Sequence, residues 1–276
     1  MLDINIVIVN WKMKQDIDRC LDSLFAEIKN SQLDILIQIV DNSGNSDGIK
    51  EMLYNKYPQV KYLDAGKNLG FGKAQNLGFA KEPAKFYLAL NPDIIFIPKE
   101  RTLEKMIQFM NNNPKVGITG PKLLNLDNTI QYSCNRFPAL FDQIIRRLNL
   151  DKKFSYCKKR VDYYLMRDFN HNQTIKVDWL MGSFILARKE MVEQIGFFDD
   201  RYFMYFEDCD WCRRAWQANW QVFYLTNVVA WHSHRRESVD ASPWVSLFKN
   251  PVARIHIKSW MKYFFKWGLE KTHYGA

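Results

Sequence analysis

The chain has 276 residues, 47% of them hydrophobic and 15% aromatic, and carries a formal net charge of +9. That length and composition allow one large domain, with or without an appendage, around a substantial core. No apolar run approaches the ~18 residues that span a bilayer, and neither a paired Cys/His finger nor an aromatic RNP-type strand marks a nucleic-acid module.

A basic surface attracts phosphates or anionic lipid. The first residues, MLDINIVIVN, lack a basic n-region and a cleavage site and read as a strand, which places the protein in the cytoplasm or at the inner face of the plasma membrane. Five cysteines in such a compartment are expected to be reduced thiols. Cys209 and Cys212 form a CxxC, but no second pair at matching spacing supports a metal site.

In chain order, residues 4–10 (INIVIVN) read as a buried strand, and 15–29 as a helix with Ile17, Leu21, Leu24 and Ile28 on one face. Residues 34–40 form a second strand closed by the turn residues Asp41-Asn42-Ser43-Gly44. A short helix over 48–57, a strand over 60–64, a helix over 72–81 and a strand over 85–90 follow. Strands alternating with helices at this pitch predict a parallel α/β sheet. Ligands bind such sheets beyond the carboxyl ends of the strands, where Asn10, Asp41 and Asp93 fall. A helix over 101–112 and a strand over 117–124 complete this half, and 126–174 reads as an irregular, aromatic, basic insertion facing substrate. Strand-like segments at 177–188, 221–225 and 227–231, a helix over 190–195 and a basic, aromatic helical tail over 245–271 end the chain.

Several motifs carry chemistry. Gly70-Phe71-Gly72 follows the third strand, not the first, and lacks a third glycine, so it is no dinucleotide fingerprint. Its loop can still cradle a phosphate or ribose through backbone N–H groups and Asn68. Asn91-Pro92-Asp93 ends a hydrophobic strand, either as a plain turn or as one carboxylate holding a divalent cation against a diphosphate. In His232-Ser233-His234-Arg235-Arg236, the histidines would share one side of a strand and face a metal or phosphates, or form a solvated basic turn. Tyr202–Arg214, YFMYFEDCDWCRR, sets Glu207, Asp208 and Asp210 behind a dense aromatic run. Such surroundings can tune a general base, although an acidic helix start paired to Arg213 and Arg214 gives the same pattern.

The order of these segments, IVIVNW, VDNSGNSDG, KNLGFGKAQN, LALNPDI, VDWLMGSFILAR, GFFDDRYFMYFEDCDWCRRA and AWHSHRRES, resembles the family 2 glycosyltransferases over about residues 4–240. It is most similar to bacterial rhamnosyltransferases of O-antigen and surface-polysaccharide assembly. The resemblance implies a GT-A fold, α/β with a mostly parallel sheet, as a catalytic domain over 1–240. Within it, 1–124 would bind the nucleotide-sugar and 125–240 the acceptor, and 241–276 would form the helical tail. It implies inverting transfer of a sugar, L-rhamnose from dTDP-β-L-rhamnose, to a lipid-diphosphate-linked saccharide, with Mg²⁺ or Mn²⁺ as cofactor. Alternatives are a UDP-hexose-dependent sister enzyme and a catalytically silent scaffold subunit.

By the same resemblance Asp208 is the catalytic base, with Glu207 and Asp210 as secondary acids. Asp41 contacts the nucleotide base, and Asn10, Trp11 and Asn42 line its pocket. Asn68 and Gly70 lie near the ribose and diphosphate. Asp93 is the last acid of the usual Asp-x-Asp metal motif, whose first acid is replaced here by Asn91, and His232 completes the metal site. Trp179, Gly182, Ser183, His234, Arg235 and Arg236 are expected at the acceptor or phosphates. The cations Arg254, Lys258, Lys262 and Lys266 recur every four residues beside Trp260, Phe264, Phe265 and Trp267, so the tail is expected to dock on an anionic membrane or to pack its aromatics on the catalytic domain.

Overall fold

A computed structural model of the chain describes residues 1–233, 250–269 and 273–275. The elements are β1 (Leu2–Asn10), α1 (Lys14–Ile28), β2 (Ile35–Asp41), α2 (Ile49–Lys56), β3 (Lys61–Asp64), α3 (Phe71–Phe79), β4 (Ala84–Leu90), β5 (Ile94–Phe96), α4 (Thr102–Asn112) and β6 (Val116–Leu124). There follow β7 (Ile130–Gln131), β8 (Cys134–Asn135), α5 (Asp142–Arg147), α6 (Ser155–Tyr164), β9 (Ile175–Lys176), β10 (Trp179–Leu180), β11 (Phe184–Arg188), α7 (Lys189–Ile195), α8 (Glu207–Gln217), β12 (Gln221–His232) and α9 (Pro251–Trp267).

The main sheet runs β3-β2-β1-β4-β11-β6-β12-β5. Its first four strands are parallel. β11 lies antiparallel between β4 and β6, and β12 runs parallel to β6. Strands from the second half of the chain are thus inserted beside strands from the first, so both halves build one sheet.

Side chains alternate across each strand, and the core divides accordingly. Ile4, Ile6 and Ile8 of β1 face one layer with Ile17, Leu21 and Leu24 of α1 and Leu103, Met106 and Met110 of α4. Val7 and Val9 face the other layer, with Ala74 and Phe79 of α3, Met191 of α7 and Trp211 of α8. The 3.6-residue spacing of apolar positions in α1 and α4 is what directs one stripe of each helix to the sheet.

Three expectations change. The segment 126–174 is not irregular throughout. It folds α5 and α6 into a unit with its own small core of Ile145, Val161, Tyr164 and Leu165. Its high charge masks that apolar set in a composition reading. The strand-like run 177–188 is broken after Leu180 by a turn at Met181-Gly182-Ser183 before β11 begins. The two segments 221–225 and 227–231 are one strand, β12, irregular between Leu225 and Val229.

The tail helix α9 packs on the catalytic layer. Tyr263 is fully buried, with its ring 5.3 Å from that of Phe206. Ser259 Oγ donates to the Met204 carbonyl at 2.8 Å. Among the described residues no helix is long and apolar enough to cross a membrane.

Candidate active site

The parallel register of β1 and β2 sets Asn10 beside Asp41 at the carboxyl edge of the sheet. Asn10 Nδ2 donates to Asp41 Oδ1 at 3.0 Å. The same oxygen accepts from Ser43 N and Ser43 Oγ at 2.9 and 2.7 Å. Asp41 Oδ2 accepts from Asn45 N at 2.6 Å and Tyr62 OH at 3.0 Å. Burial opposes ionisation here, but the Ser43, Asn45 and Tyr62 donors outweigh it and hold the carboxyl below its usual range. All this capacity is used within the protein and the side chain is fully buried. The geometry makes Asp41 an organiser of the loop after β2. Trp11, next to Asn10, leaves a ring 48% exposed.

Asn42 reaches the other way. Its Nδ2 donates to Gly70 O at 3.0 Å and its Oδ1 accepts from Leu69 N at 3.3 Å. Asn68 Oδ1 accepts from Gly70 N at 2.9 Å. Gly70 has φ +81°, and a Cβ there would stand 2.0 Å from the Phe203 carbonyl oxygen. The adjacent Phe71 N donates to that oxygen at 2.8 Å. Only glycine allows this approach, which seats the 68–71 loop against the segment leading to α8.

At the end of β4, Asn91 N donates to Ser183 O at 2.8 Å. Two residues on, Asp93 Oδ1 lies 3.1 Å from His232 Nε2, because β12 pairs with β5. The other ring nitrogen, His232 Nδ1, meets Gln131 Oε1 at 2.5 Å. Gln131 Nε2 donates to Asn125 Oδ1 at 3.4 Å, so its carbonyl faces the imidazole and Nδ1 carries the proton. Nε2 then faces the Asp93 carboxylate, and the two side chains offer one nitrogen and one oxygen ligand on the same side. One carboxylate and one oriented imidazole thus fit a divalent metal. Among the described residues no cluster of three or more His, Cys, Asp or Glu can hold a metal ion, so a cation here would complete its shell with donor phosphates and water.

The chain enters α8 through Tyr205 and Phe206, both at left-handed backbone angles (φ +72° and +69°). Such angles are uncommon for aromatic residues and are held by surrounding structure. Asp208 Oδ2 accepts from Gly182 N at 2.8 Å, and Oδ1 from Cys209 N at 2.7 Å. Burial pushes this carboxyl up to about 6, with the Gly182 and Cys209 amides pulling against it. The residue is half-buried. Glu207 is buried, its Oε2 has no hydrogen-bond partner among the described residues, and burial plus the charge of Asp208 drive its carboxyl well above the usual range. Burial raises both carboxyls, and the charge of Asp208 raises Glu207 further, so the two acids are pushed apart and Asp208 is the more readily ionised of the pair.

Asp210 belongs to the framework. It is fully buried, with Oδ2 2.9 Å from Arg214 Nε and Oδ1 accepting from Trp267 Nε1 at 2.8 Å and Lys266 Nζ at 2.7 Å. These bonds tether α8 to α9. Trp179 is half-buried and donates its Nε1 to Arg136 O at 2.9 Å. Ser183 is buried, and its Oγ has no partner among the described residues. His234, Arg235 and Arg236 lie outside the described residues. Sequence reasoning missed Gln131, which gives no local signal, and the amide of Gly182, since a glycine shows no donor direction until the turn is folded.

The family model "Glycosyltransferase like family 2" matches residues 3–247. The chain is 27% identical over 249 residues to an N-acetylglucosaminyl-diphospho-decaprenol L-rhamnosyltransferase of Mycobacterium tuberculosis, covering 86% of this chain and 78% of that protein. It is 26% identical over 266 residues to rhamnosyltransferase WbbL of Escherichia coli, covering 94% and 91%. Mannosyltransferase PcManGT from Pyrobaculum calidifontis, solved with GDP-Man and Mn²⁺, superposes with a TM-score of 0.57 at 11% identity, over 86% of this chain and 60% of its own. Staphylococcus aureus TarS 1–349, solved with UDP, gives 0.56 at 16%, over 86% and 62%. These two likenesses bear on the fold alone, and the chain spans under two thirds of either solved chain. Sheet, edge loops and matched structures together define a GT-A fold. The chain belongs to the family 2 glycosyltransferases, where its sequence is similar to rhamnosyltransferases.

Proposed function

We propose that this glycosyltransferase moves L-rhamnose from dTDP-β-L-rhamnose, with inversion, to a lipid-diphosphate-linked saccharide at the cytoplasmic membrane face. The observation that carries the reading is the position of one turn. Met181-Gly182-Ser183 holds the candidate base through Gly182 N and the candidate cation site through Ser183 O and Asn91. The rhamnosyl and lipid-linked specifics are supported by the Mycobacterium and Escherichia relatives.

In this mechanism Asp208 accepts the proton of the acceptor hydroxyl as that oxygen attacks C1 of the donor sugar. The C1–O bond to the diphosphate breaks, and the nucleoside diphosphate leaves with the electron pair. Asp93 and His232 would hold a divalent cation, which when bound neutralises charge on the departing diphosphate. Trp11 offers an exposed face to the nucleotide base, and the Asn42–Gly70 clasp shapes the ribose and diphosphate edge. Trp179 and the Gly182 turn border the acceptor. No second carboxylate for a covalent intermediate is needed.

A UDP-hexose donor is the second reading, favoured by the UDP complex of TarS and by similarity to a Haloferax volcanii hexosyltransferase, Agl10. A panel of nucleotide-sugars tests both. Nucleoside diphosphate release is followed with and without a synthetic polyprenyl-diphosphate sugar. Acceptor-dependent release from dTDP-rhamnose alone is expected, and release from UDP-hexoses instead would select the second reading.

A further inference from the structure

Helix α9 has two faces. Ala253, Ser259 and Tyr263 are buried against the catalytic layer. The opposite stripe carries Arg254, Lys258, Met261, Lys262, Phe265 and Leu269, all exposed. Phe265 is 93% exposed, Leu269 68% and Met261 58%. Scattered exposed apolar residues are ordinary, but a continuous stripe interleaved with cations is a binding face. Of the two expectations for the tail aromatics, packing holds for Trp260, Phe264 and Trp267, which pack around Tyr263.

The α5–α6 unit repeats this arrangement. Its inner residues form the small core around Val161. Outside it, Phe141 is 58% exposed, Phe154 58% and Tyr156 74%. Residues 141–160 hold seven Lys and Arg against two Asp, and one of these, Asp142, is paired to Arg160 at 2.5 Å. The two elements adjoin through Trp179, which packs against both the Tyr263 cluster and the α5–α6 core. Burial, with the charges of Arg147 and Arg146, pushes the His256 imidazole of α9 down to about 4. They also adjoin the candidate base. His256 packs ring to ring on Tyr205 and Phe206 at 4.9 and 5.5 Å, just ahead of Asp208.

We propose that the outer stripe of α9 and the exposed face of the α5–α6 unit form one docking surface for an anionic lipid bilayer. The assignment deepens the proposed function and rests on its lipid-linked acceptor. Aromatic and long apolar side chains sit at headgroup level while interleaved cations meet anionic headgroups. A protein partner is disfavoured, because lysine is depleted from the cores of protein interfaces, whereas lysine and arginine here alternate with the apolar residues. Each cation near an anionic surface contributes roughly fivefold in partitioning.

The test is flotation of the full chain with phosphatidylglycerol-containing and pure phosphatidylcholine vesicles at low and high salt. Wild-type protein is expected on the anionic vesicles and to leave them as salt rises. Phe265→Ser with Met261→Ser, Phe154→Ser with Tyr156→Ser, and Arg254→Gln with Lys258→Gln are each expected to weaken partitioning by about tenfold or more. Transfer to a water-soluble acceptor analogue should be unchanged in all three. Its absence in wild-type protein would count against the proposed function and leave the docking result standing. Wild-type protein that stays unbound at low salt, or aromatic variants that bind like wild type, would overturn the proposal. So would variants that convert a dimer to a monomer in light scattering with vesicle binding intact, since the face would then join two copies of the chain.

Discussion

The Gly182 amide donates to Asp208 Oδ2 at 2.8 Å, fixing the carboxylate against a turn that also anchors the start of the Asn91–Asp93 segment. The relationship couples the acidity of the base to the geometry of the opposite, phosphate-facing edge. Burial alone would carry Asp208 higher than about 6, and the amides of Gly182 and Cys209 keep it ionised near neutrality.

Asp208→Asn is expected to lower kcat by about 10²–10⁴-fold while donor binding survives. Since the ionised form is the active base, wild-type kcat should fall as pH drops through about 6. Stopped transfer assays across pH, with calorimetry for dTDP, check both. Near-normal turnover of the variant would remove Asp208 from the mechanism. Glu207→Gln should preserve the acid limb, because burial and the charge of Asp208 favour the neutral form of Glu207.

The cation pair gives a second expectation. EDTA should inhibit and Mg²⁺ or Mn²⁺ restore activity, while Asp93→Ala and His232→Ala should lose that response. Gln131→Leu removes the acceptor that orients His232 and is expected to raise the metal concentration for half-activation by about 10–100-fold. Full activity in excess chelator would leave the Asp93–His232 contact as a hydrogen bond only.

How much was legible beforehand depended on whether local pattern or long-range contact decides a residue's role. β1, α1 and the strand ends were readable because apolar spacing and turn residues act over a few positions. The acid pair at the start of α8 was readable because the aromatic run precedes it directly. The bonds that Asp41 and Asp210 make were not. Both are strand-end or helix-start acids by sequence, and only folding brings Tyr62 to one and Lys266 and Trp267 to the other. The clustering of Gln131 with His232, 101 positions apart, has no sequence signature.

For Asp41 the expected defect is in stability. Asp41→Ala strands the Ser43, Asn45 and Tyr62 donors and should cost about 2–4 kcal/mol. Affinity for dTDP and UDP should fall together and without preference. Because the folded-state acidity lies below the unfolded one, this stabilisation is present at neutral pH and is lost as pH falls below the ordinary carboxyl range. Denaturant unfolding at neutral and acidic pH, with nucleotide calorimetry, measures it. A variant with wild-type stability but selectively lost pyrimidine binding would return Asp41 to a direct contact.

The last prediction concerns Asp178, a buried carboxylate next to Trp179. Its Oδ1 accepts from Tyr274 N and Gly275 N at 2.7 and 2.9 Å, and its Oδ2 from His273 Nδ1 and Phe137 N, each at 2.8 Å. Tyr274 also stacks on Trp216, centroids 5.4 Å apart and planes within 9°. Among the described residues, three of the four donors to this side chain are therefore His273, Tyr274 and Gly275. Removing residues 273–276 leaves the buried Asp178 carboxylate with the Phe137 amide as its donor among the described residues, and stranding such a group costs about 3–5 kcal/mol. The truncated protein is expected to unfold at lower denaturant and to show a raised KM for acceptor, since Trp179 follows Asp178 directly, with KM for donor little changed. Asp178→Asn in the truncated background removes the charge and should recover part of the stability. Equal stability of full-length and truncated protein would show that the terminal residues do not support Asp178. A donor KM that rises instead would show that they act on the other side of the site.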